Sequence, residues 1–297
     1  MLISTVCPWD DKERLIEGAF RQLVRDLLAK GFNHVYVFGT CGEGYAVDTE
    51  RFREVVTVFR EETKGAGVFP QVGTIGLSTA NIVERIAFAH QLGFREFQIS
   101  LPSWGVLDND EMRTFFRDVC GAFPDSKFLH YNLMRAKRLL NGSDYRRIAD
   151  EVPNLVATKN TGDSVMRVVD LMTNAPDLQH FFGEFLFPYG CLYGECSMLS
   201  SFGGMMPTKT KQLYDADSRG RSGEALAIAG GMAQVIHDFL EPTKFRDPVD
   251  GAYDKMLARI AGVEMPLRLL SPYHCFSEDV YHKCRGIMVN KHAKWLG

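Results

Sequence analysis

The sequence predicts an α/β fold, a closed (β/α)8 TIM barrel with a C-terminal helical extension, and three observations carry that expectation. Short apolar runs rich in β-branched and aromatic residues alternate with helical patterns through the first two thirds of the chain, which is the mark of parallel βαβ units. About eight such runs fit into roughly 200 residues, the count and spacing of a barrel. No GxGxxG opens a helix after the first strand, which argues against an open dinucleotide-binding sheet. The nearest approach, "VGTIGLS" at 72–78, has a GxxG spacing and reads as a tight strand exit.

The elements follow in order. "LISTVC" (2–7) is a plausible first strand, and Leu15, Phe20, Leu23, Leu27 and Leu28 line one face of a first helix. "HVYVFG" (34–39) is the second strand. Phe52, Val55, Val56 and Phe59 repeat at helical spacing within 49–62, before "GVFPQVG" (67–73). Helices at 78–91, 109–121, 143–151 and 163–173 precede the strands "REFQIS" (95–100), "KFLHYN" (127–132), "NLVATK" (154–159) and "QHFFGE" (179–184). "GCLYGECS" (190–197) reads as the last strand. Past residue 207 the strand signal fades, and helices are expected at 209–217, 222–239, 248–261 and 276–292, with prolines near their boundaries. Residues 1–207 then supply the barrel strands and most helices. Residues 208–297 supply the last barrel helix and the extension, within one domain unit because no low-complexity linker separates them.

Composition narrows the function. The chain has 297 residues, 45% of them apolar and 24% charged, as expected of a globular protein. A net charge of -3 from 34 basic and 37 acidic residues, with no dense basic tract, points away from nucleic acid as a partner. Apolar stretches are broken well short of the roughly 20 residues that span a bilayer, and "MLISTVCPWDD" has neither a basic n-region nor a long apolar h-region. A cytoplasmic protein without membrane contact is the expectation. The seven cysteines form no CxxC and no zinc-ligand spacing, so free structural thiols and no metal are expected.

In a parallel barrel the active site lies at the C-terminal ends of the strands. The polar residues there are Gly39, Thr40, Cys41, Gly42 and Glu43 after the second strand, Ser103 and Trp104 after the fourth, Tyr131 and Asn132 after the fifth, Lys159 and Asn160 after the sixth, Glu184 after the seventh and Ser197 after the eighth. Alternation along a strand gives Lys159 the direction of Leu155 and Ala157, and gives Tyr131 that of Leu129, opposite His130. A lysine directed inward loses hydration as an ammonium and becomes an amine nucleophile toward ketones. A nearby phenol then relays protons once a hydroxyl such as Thr40 orients it. A salt-bridged or snorkelling lysine at the same place is the competing reading.

The order "GTCGEG" (39–44), "DTERFREVV", "LHYN", "LVATKN" and "YGECSMLSSFGGMMP" resembles the dihydrodipicolinate synthase and N-acetylneuraminate lyase family of class I, Schiff-base-forming aldolases. The similarity runs from about residue 4 to residue 272, where "VEMPLRLLSP" resembles the family's C-terminal segment. It implies that Lys159 forms an imine with pyruvate or another 2-keto acid without a cofactor, that Tyr131 relays the proton, and that Thr40 bonds this tyrosine. It also implies that the turn at Thr40 and Cys41 holds the keto acid's carboxylate, and that the protein is a homo-oligomer, a tetramer of two tight dimers. Glu43 reads as a structural carboxylate bracing that turn.

Departures from the synthase pattern bear on the substrate. Cys41 stands in place of a second threonine, and Trp104 in place of the relay tyrosine that follows Pro-Tyr. Ala136 occupies the position of the substrate-gripping arginine, with Arg135, Lys137 and Arg138 close by. Asn160, Glu184, Arg135 and Trp104 join Thr40 and Cys41 as candidate substrate contacts, although Trp104 reads equally as a packing or interface residue. Met205 and Met206 read as core or loop contacts. Cleavage or formation of a carbon-carbon bond next to a keto group is the leading function. Dehydration of a deoxy 2-keto sugar acid by the same imine is the alternative, and 4-hydroxy-tetrahydrodipicolinate synthase or a catalytically silent keto-acid-binding barrel are weaker ones.

Overall fold

The computed structural model describes residues 1–297 except Ala66, Asp163 and Asp247. Eight parallel strands close in sequence order into a barrel: β1 (Leu2–Ser4), β2 (His34–Val37), β3 (Phe69–Gly73), β4 (Glu96–Ile99), β5 (Lys127–Asn132), β6 (Leu155–Asn160), β7 (Gln179–Gly183) and β8 (Ser197–Ser200). The helices between them are α1 (Glu17–Ala29), α2 (Thr49–Thr63), α3 (Thr79–Gln91), α4 (Asn109–Gly121), α5 (Gly142–Glu151), α6 (Val165–Asn174) and the short α7 (Phe187–Cys191). After β8 come α8 (Pro207–Ser218), α9 (Ser222–Leu240), α10 (Gly251–Ile260) and α11 (Glu278–Lys291). Among the described residues, no helix is long and apolar enough to cross a membrane.

Side-chain caps set several helix starts. Asp48 accepts from Arg51 N, Ser78 from Asn81 N, and Asp108 and Asn141 each close a reciprocal capping box with Glu111 and Asp144. Such caps satisfy N–H groups that have no partner inside the helix. The helix expected at 163–173 starts at Val165, and residue 163 lies outside the described residues.

Two expectations are corrected. The last strand is not 190–197 but Ser197–Ser200. Pro188 sits in the first turn of α7, where its missing N–H costs nothing. A Cβ on Gly190 would stand 2.8 Å from Cys196 Sγ and 2.9 Å from the Phe182 ring, so this stretch packs as a tight turn against β7. Ser197 therefore opens β8 instead of ending it. The second correction concerns Leu155. The pairing of β5 with β6 jumps from Phe128–Leu155 to Leu129–Ala157, and this bulge breaks the alternation. Ala157 lies inside the barrel with Leu2, Tyr36, Leu129 and Leu199, whereas Leu155 packs in the outer core. His130 faces outward as expected, its Nδ1 2.7 Å from Tyr145 Oη on α5.

The turn after β2 is held from below. Glu43, fully buried and at φ 60°, accepts from Trp9 Nε1 at 2.9 Å and from Leu270 N at 2.6 Å, and it pairs with Lys255 of α10 at 2.6 Å. Lys255 is also fully buried and donates to the Arg268 carbonyl. Breaking a buried pair leaves an uncompensated charge. Lys255→Met should therefore cost about 3–5 kcal/mol in urea unfolding. Restoring neutrality with Glu43→Gln in the same chain should recover part of that loss, and a loss under about 1 kcal/mol for the single variant would show that the pair carries little.

Candidate active site

Strands β5 and β6 end side by side, with Tyr131 paired in register to Lys159, and both side chains are 2% exposed. Lys159 Nζ lies 3.7 Å above the centre of the Tyr131 ring and donates to Tyr36 Oη at 2.6 Å. Thr40 Oγ1 donates to Tyr131 Oη at 3.3 Å. A cavity of about 240 Å³ opens at this end of the barrel, bordered by Tyr36, Thr40, Cys41, Tyr131 and Lys159 and closed on its other side by α9 and α10.

Burial governs the titration of this group. Desolvation lowers the Lys159 pKa to about 8, against the weaker opposing effect of Cys41, Asp250 and Asp254. The Tyr131 phenol is pushed up by burial and then by Asp250, with the Thr40 hydrogen bond pulling the other way. Tyr36 is raised well above the usual phenol value, again chiefly by burial. Cys41 is held up to about 12 by desolvation, and its Sγ donates to Thr5 O at 3.6 Å, so the thiol stays protonated. The site thus offers one amine available near neutral pH between two phenols that keep their protons.

The turn from Gly39 to Gly44 forms a shallow cradle. Glu43 N and Gly44 N are spent on Thr40 O and Gly39 O, whereas the Thr40 and Cys41 amides have no acceptor among the described residues. Added Cβ atoms on Gly42 and Gly44 would meet the Phe38 backbone at 2.9 and 2.6 Å, so only glycine lets the turn lie this close to β2.

The sequence-predicted residues divide into two groups. Lys159, Tyr131, Thr40 and Cys41 converge on the cavity. Asn160 does not, because its amide bonds Thr158 Oγ1 at 2.7 Å and Asn132 Nδ2 at 3.0 Å on the helix side of the sheet. Glu184 braces the end of β8, accepting from Ser200 Oγ, Ser201 N and Phe202 N at 2.7–3.0 Å, with burial raising its pKa. Arg135 pairs with Asp250 at 2.9 Å and lines a neighbouring cavity of about 250 Å³ that shares Thr40. Trp104 is 83% exposed, and its carbonyl accepts from Lys137 Nζ. Arg138 is spent on Leu107 O and Asn109 Oδ1. Tyr36, Asp250 and Asp254 border the cavity without having been singled out from the sequence. For Tyr36 the signal was present: a tyrosine between Val35 and Val37 on a strand must face inward when the valines face the helices. Among the described residues, no group of three or more His, Cys, Asp or Glu could hold a metal. Cys191 and Cys196, the close pair in the sequence, stand with their sulfurs 3.6 Å apart.

A family model for the dihydrodipicolinate synthetase family matches residues 1–291. The chain belongs to that family. Membership brings it within class I aldolase and lyase chemistry, which proceeds through a lysine imine and needs no external cofactor. It is similar to a 4-hydroxy-tetrahydrodipicolinate synthase of Aromatoleum aromaticum, 26% identical over 91% of this chain and 92% of the relative. It is also similar to an N-acetylneuraminate lyase of Citrobacter koseri, 23% identical over 82% of each. In fold it matches a prophage protein of the dihydrodipicolinic acid synthase family from E. coli K12, solved with pyruvate. The TM-score is 0.86, at 18% identity over 97% of both chains.

The Lys159 environment makes a direct prediction. Nitrogen-detected NMR of the lysine ammonium groups should show the Lys159 resonance titrating with a midpoint near pH 8, ammonium below and free amine above, and Lys159→Met should remove it. A midpoint close to the unperturbed value of about 10.4 would mean that water reaches the amine.

Proposed function

We propose that this chain is a class I aldolase or lyase that forms a Schiff base between Lys159 and pyruvate or a related 2-keto acid, and makes or breaks the carbon-carbon bond next to the keto group. The observation that carries the reading is the buried Lys159 amine, in contact with two phenols at the open end of the barrel. Pyruvate bound to the E. coli prophage relative supports the choice of keto acid.

The steps follow from the geometry. The substrate carboxylate rests on the free Thr40 and Cys41 amides, and the amine attacks the C2 carbonyl. Loss of water from the carbinolamine gives the iminium. In cleavage the bond between C3 and C4 breaks, its electron pair enters the iminium to form an enamine, and the C4 hydroxyl releases its proton as the aldehyde forms. Tyr131 carries that proton by accepting on one side while donating on the other, with Thr40 holding its oxygen. Protonation of the enamine at C3 and hydrolysis release pyruvate and Lys159. Tyr36, bonded to the amine, orients it for attack.

The synthase reading is weaker. Arg135 is already paired with Asp250, Ala136 offers no charge, and Trp104 points to solvent without a phenol.

Borohydride reduction with pyruvate, read by intact mass and peptide mapping, tests the proposal. Wild type should gain one adduct on Lys159, Lys159→Ala none, and an adduct on another lysine would overturn the assignment. Tyr131→Phe should still form the adduct slowly while turnover falls by about 10²–10⁴-fold, the usual value of a positioned acid-base group. Tyr36→Phe should slow adduct formation itself, since it removes the partner of the amine.

A further inference from the structure

Across the cavity from Lys159 and the Thr40–Cys41 turn, the wall has a different character. Most of it is hydrocarbon, from Phe202, Ile236, Phe239, Leu240 and Leu257, with Ser201 and Tyr253 adding hydroxyls. The charged groups on that side are both acidic, Asp250 and Asp254 from the start of α10. Asp250 is engaged by Arg135. The Asp254 carboxyl has neither a hydrogen bond nor an ion pair among the described residues, and burial followed by the charge of Asp250 raises its pKa well above the usual carboxyl value. Lys159 is the one cation bordering the cavity among the described residues, and imine formation engages it.

We propose that the second half of the substrate, the aldehyde joined to or released from pyruvate, is an uncharged, mainly apolar aldehyde whose oxygen lies against Asp254, and that carboxylated or phosphorylated aldehydes are excluded. The proposal rests on the aldolase reading above. An anionic tail would lose its hydration against hydrocarbon and meet two carboxyl groups with no cation to repay it. An alkyl or aryl tail would gain by leaving water. Asp254, whose carboxyl has no hydrogen bond or ion pair among the described residues, suits the one oxygen that changes state. In the synthetic direction the enamine nitrogen's lone pair re-forms the iminium as C3 bonds to the aldehyde carbon, the carbonyl π pair moves to oxygen, and that oxygen takes the proton relayed by Tyr131 to become the C4 hydroxyl. A polyhydroxylated chain would find only the Ser201 and Tyr253 hydroxyls on this wall and would leave its other hydroxyls facing leucine and phenylalanine.

Aldehydes of equal chain length separate the possibilities. With full-length protein and pyruvate, aldol formation should favour butanal over succinic semialdehyde and over erythrose by at least about tenfold in kcat/KM. Leu240→Lys, which adds a cation to this wall, should narrow the butanal–succinic semialdehyde gap by about tenfold. If that variant does not fold, Ile236→Lys, one turn earlier on α9, should narrow the gap in the same direction. Equal or better use of succinic semialdehyde, a preference for erythrose, or an unchanged gap in the folded variants would overturn the inference. The keto-acid reading fails separately, by absence of a pyruvate adduct. In that case saturation-transfer NMR with butan-1-ol and 4-hydroxybutanoate still reads the cavity: the alcohol alone should receive transfer, and transfer to the carboxylate would sink the proposal.

Discussion

The site depends on one buried carboxylate that takes no part in its chemistry. Glu43 joins the N-terminal segment at Trp9, the turn after β2, α10 through Lys255 and the C-terminal stretch at Leu270. Its left-handed backbone lets the chain reverse within the Gly39–Gly44 turn, a conformation that a non-glycine residue holds only when its surroundings demand it. Two full charges without solvent are costly, and the pair survives because both carboxylate oxygens of Glu43 meet donors. Its consequence reaches the cavity. Lys255 and Asp254 are adjacent on α10, so fixing the lysine toward Glu43 turns the aspartate about a quarter of the way around the helix, toward the mouth of the barrel.

Desolvation and charge compete at Lys159, and desolvation wins. The nearby acids support the ammonium, yet the amine still titrates near 8, because phenol rings and strand backbone exclude the water that an ammonium needs. The same exclusion acts in the opposite sense on Asp254, whose neutral form it favours. Both shifts favour the uncharged form of the group concerned.

Much of this was legible in the sequence. Strand alternation placed Tyr131 and Lys159 at neighbouring strand ends, because parallel strands of a barrel are short and their polar ends stand out against Val and Phe. Leu155 was assigned to the wrong face, since a single bulge shifts the phase and leaves no compositional trace. The last strand was misplaced because "GCLY" has a strand-like composition, while its first two residues, Gly190 and Cys191, end the short helix α7, with Gly190 packed close against Phe182. Asn160 and Glu184 were placed at the rim correctly but not in the cavity. Rim position follows from strand length, whereas direction depends on which neighbour satisfies the side chain. Asp250, Asp254 and Lys255 lie some ninety residues beyond Lys159 on a helix outside the βα repeat. Their one signal was a lysine among Ala252, Met256 and Leu257 on what should be a buried face.

The division of the cavity wall separates two tasks that sequence similarity reports unequally. On the proposed reading the covalent chemistry sits at strand ends, where a displaced side chain would disturb the barrel's closed hydrogen-bonded ring. The opposite wall comes from α9 and α10, held to the barrel by side-chain packing and by the Glu43–Lys255 pair. A helix surface can exchange leucine for a charge at one position without moving any strand. Chains about a quarter identical can therefore keep one imine site and differ in the molecule it receives, and the substrate is to be sought on the C-terminal helices.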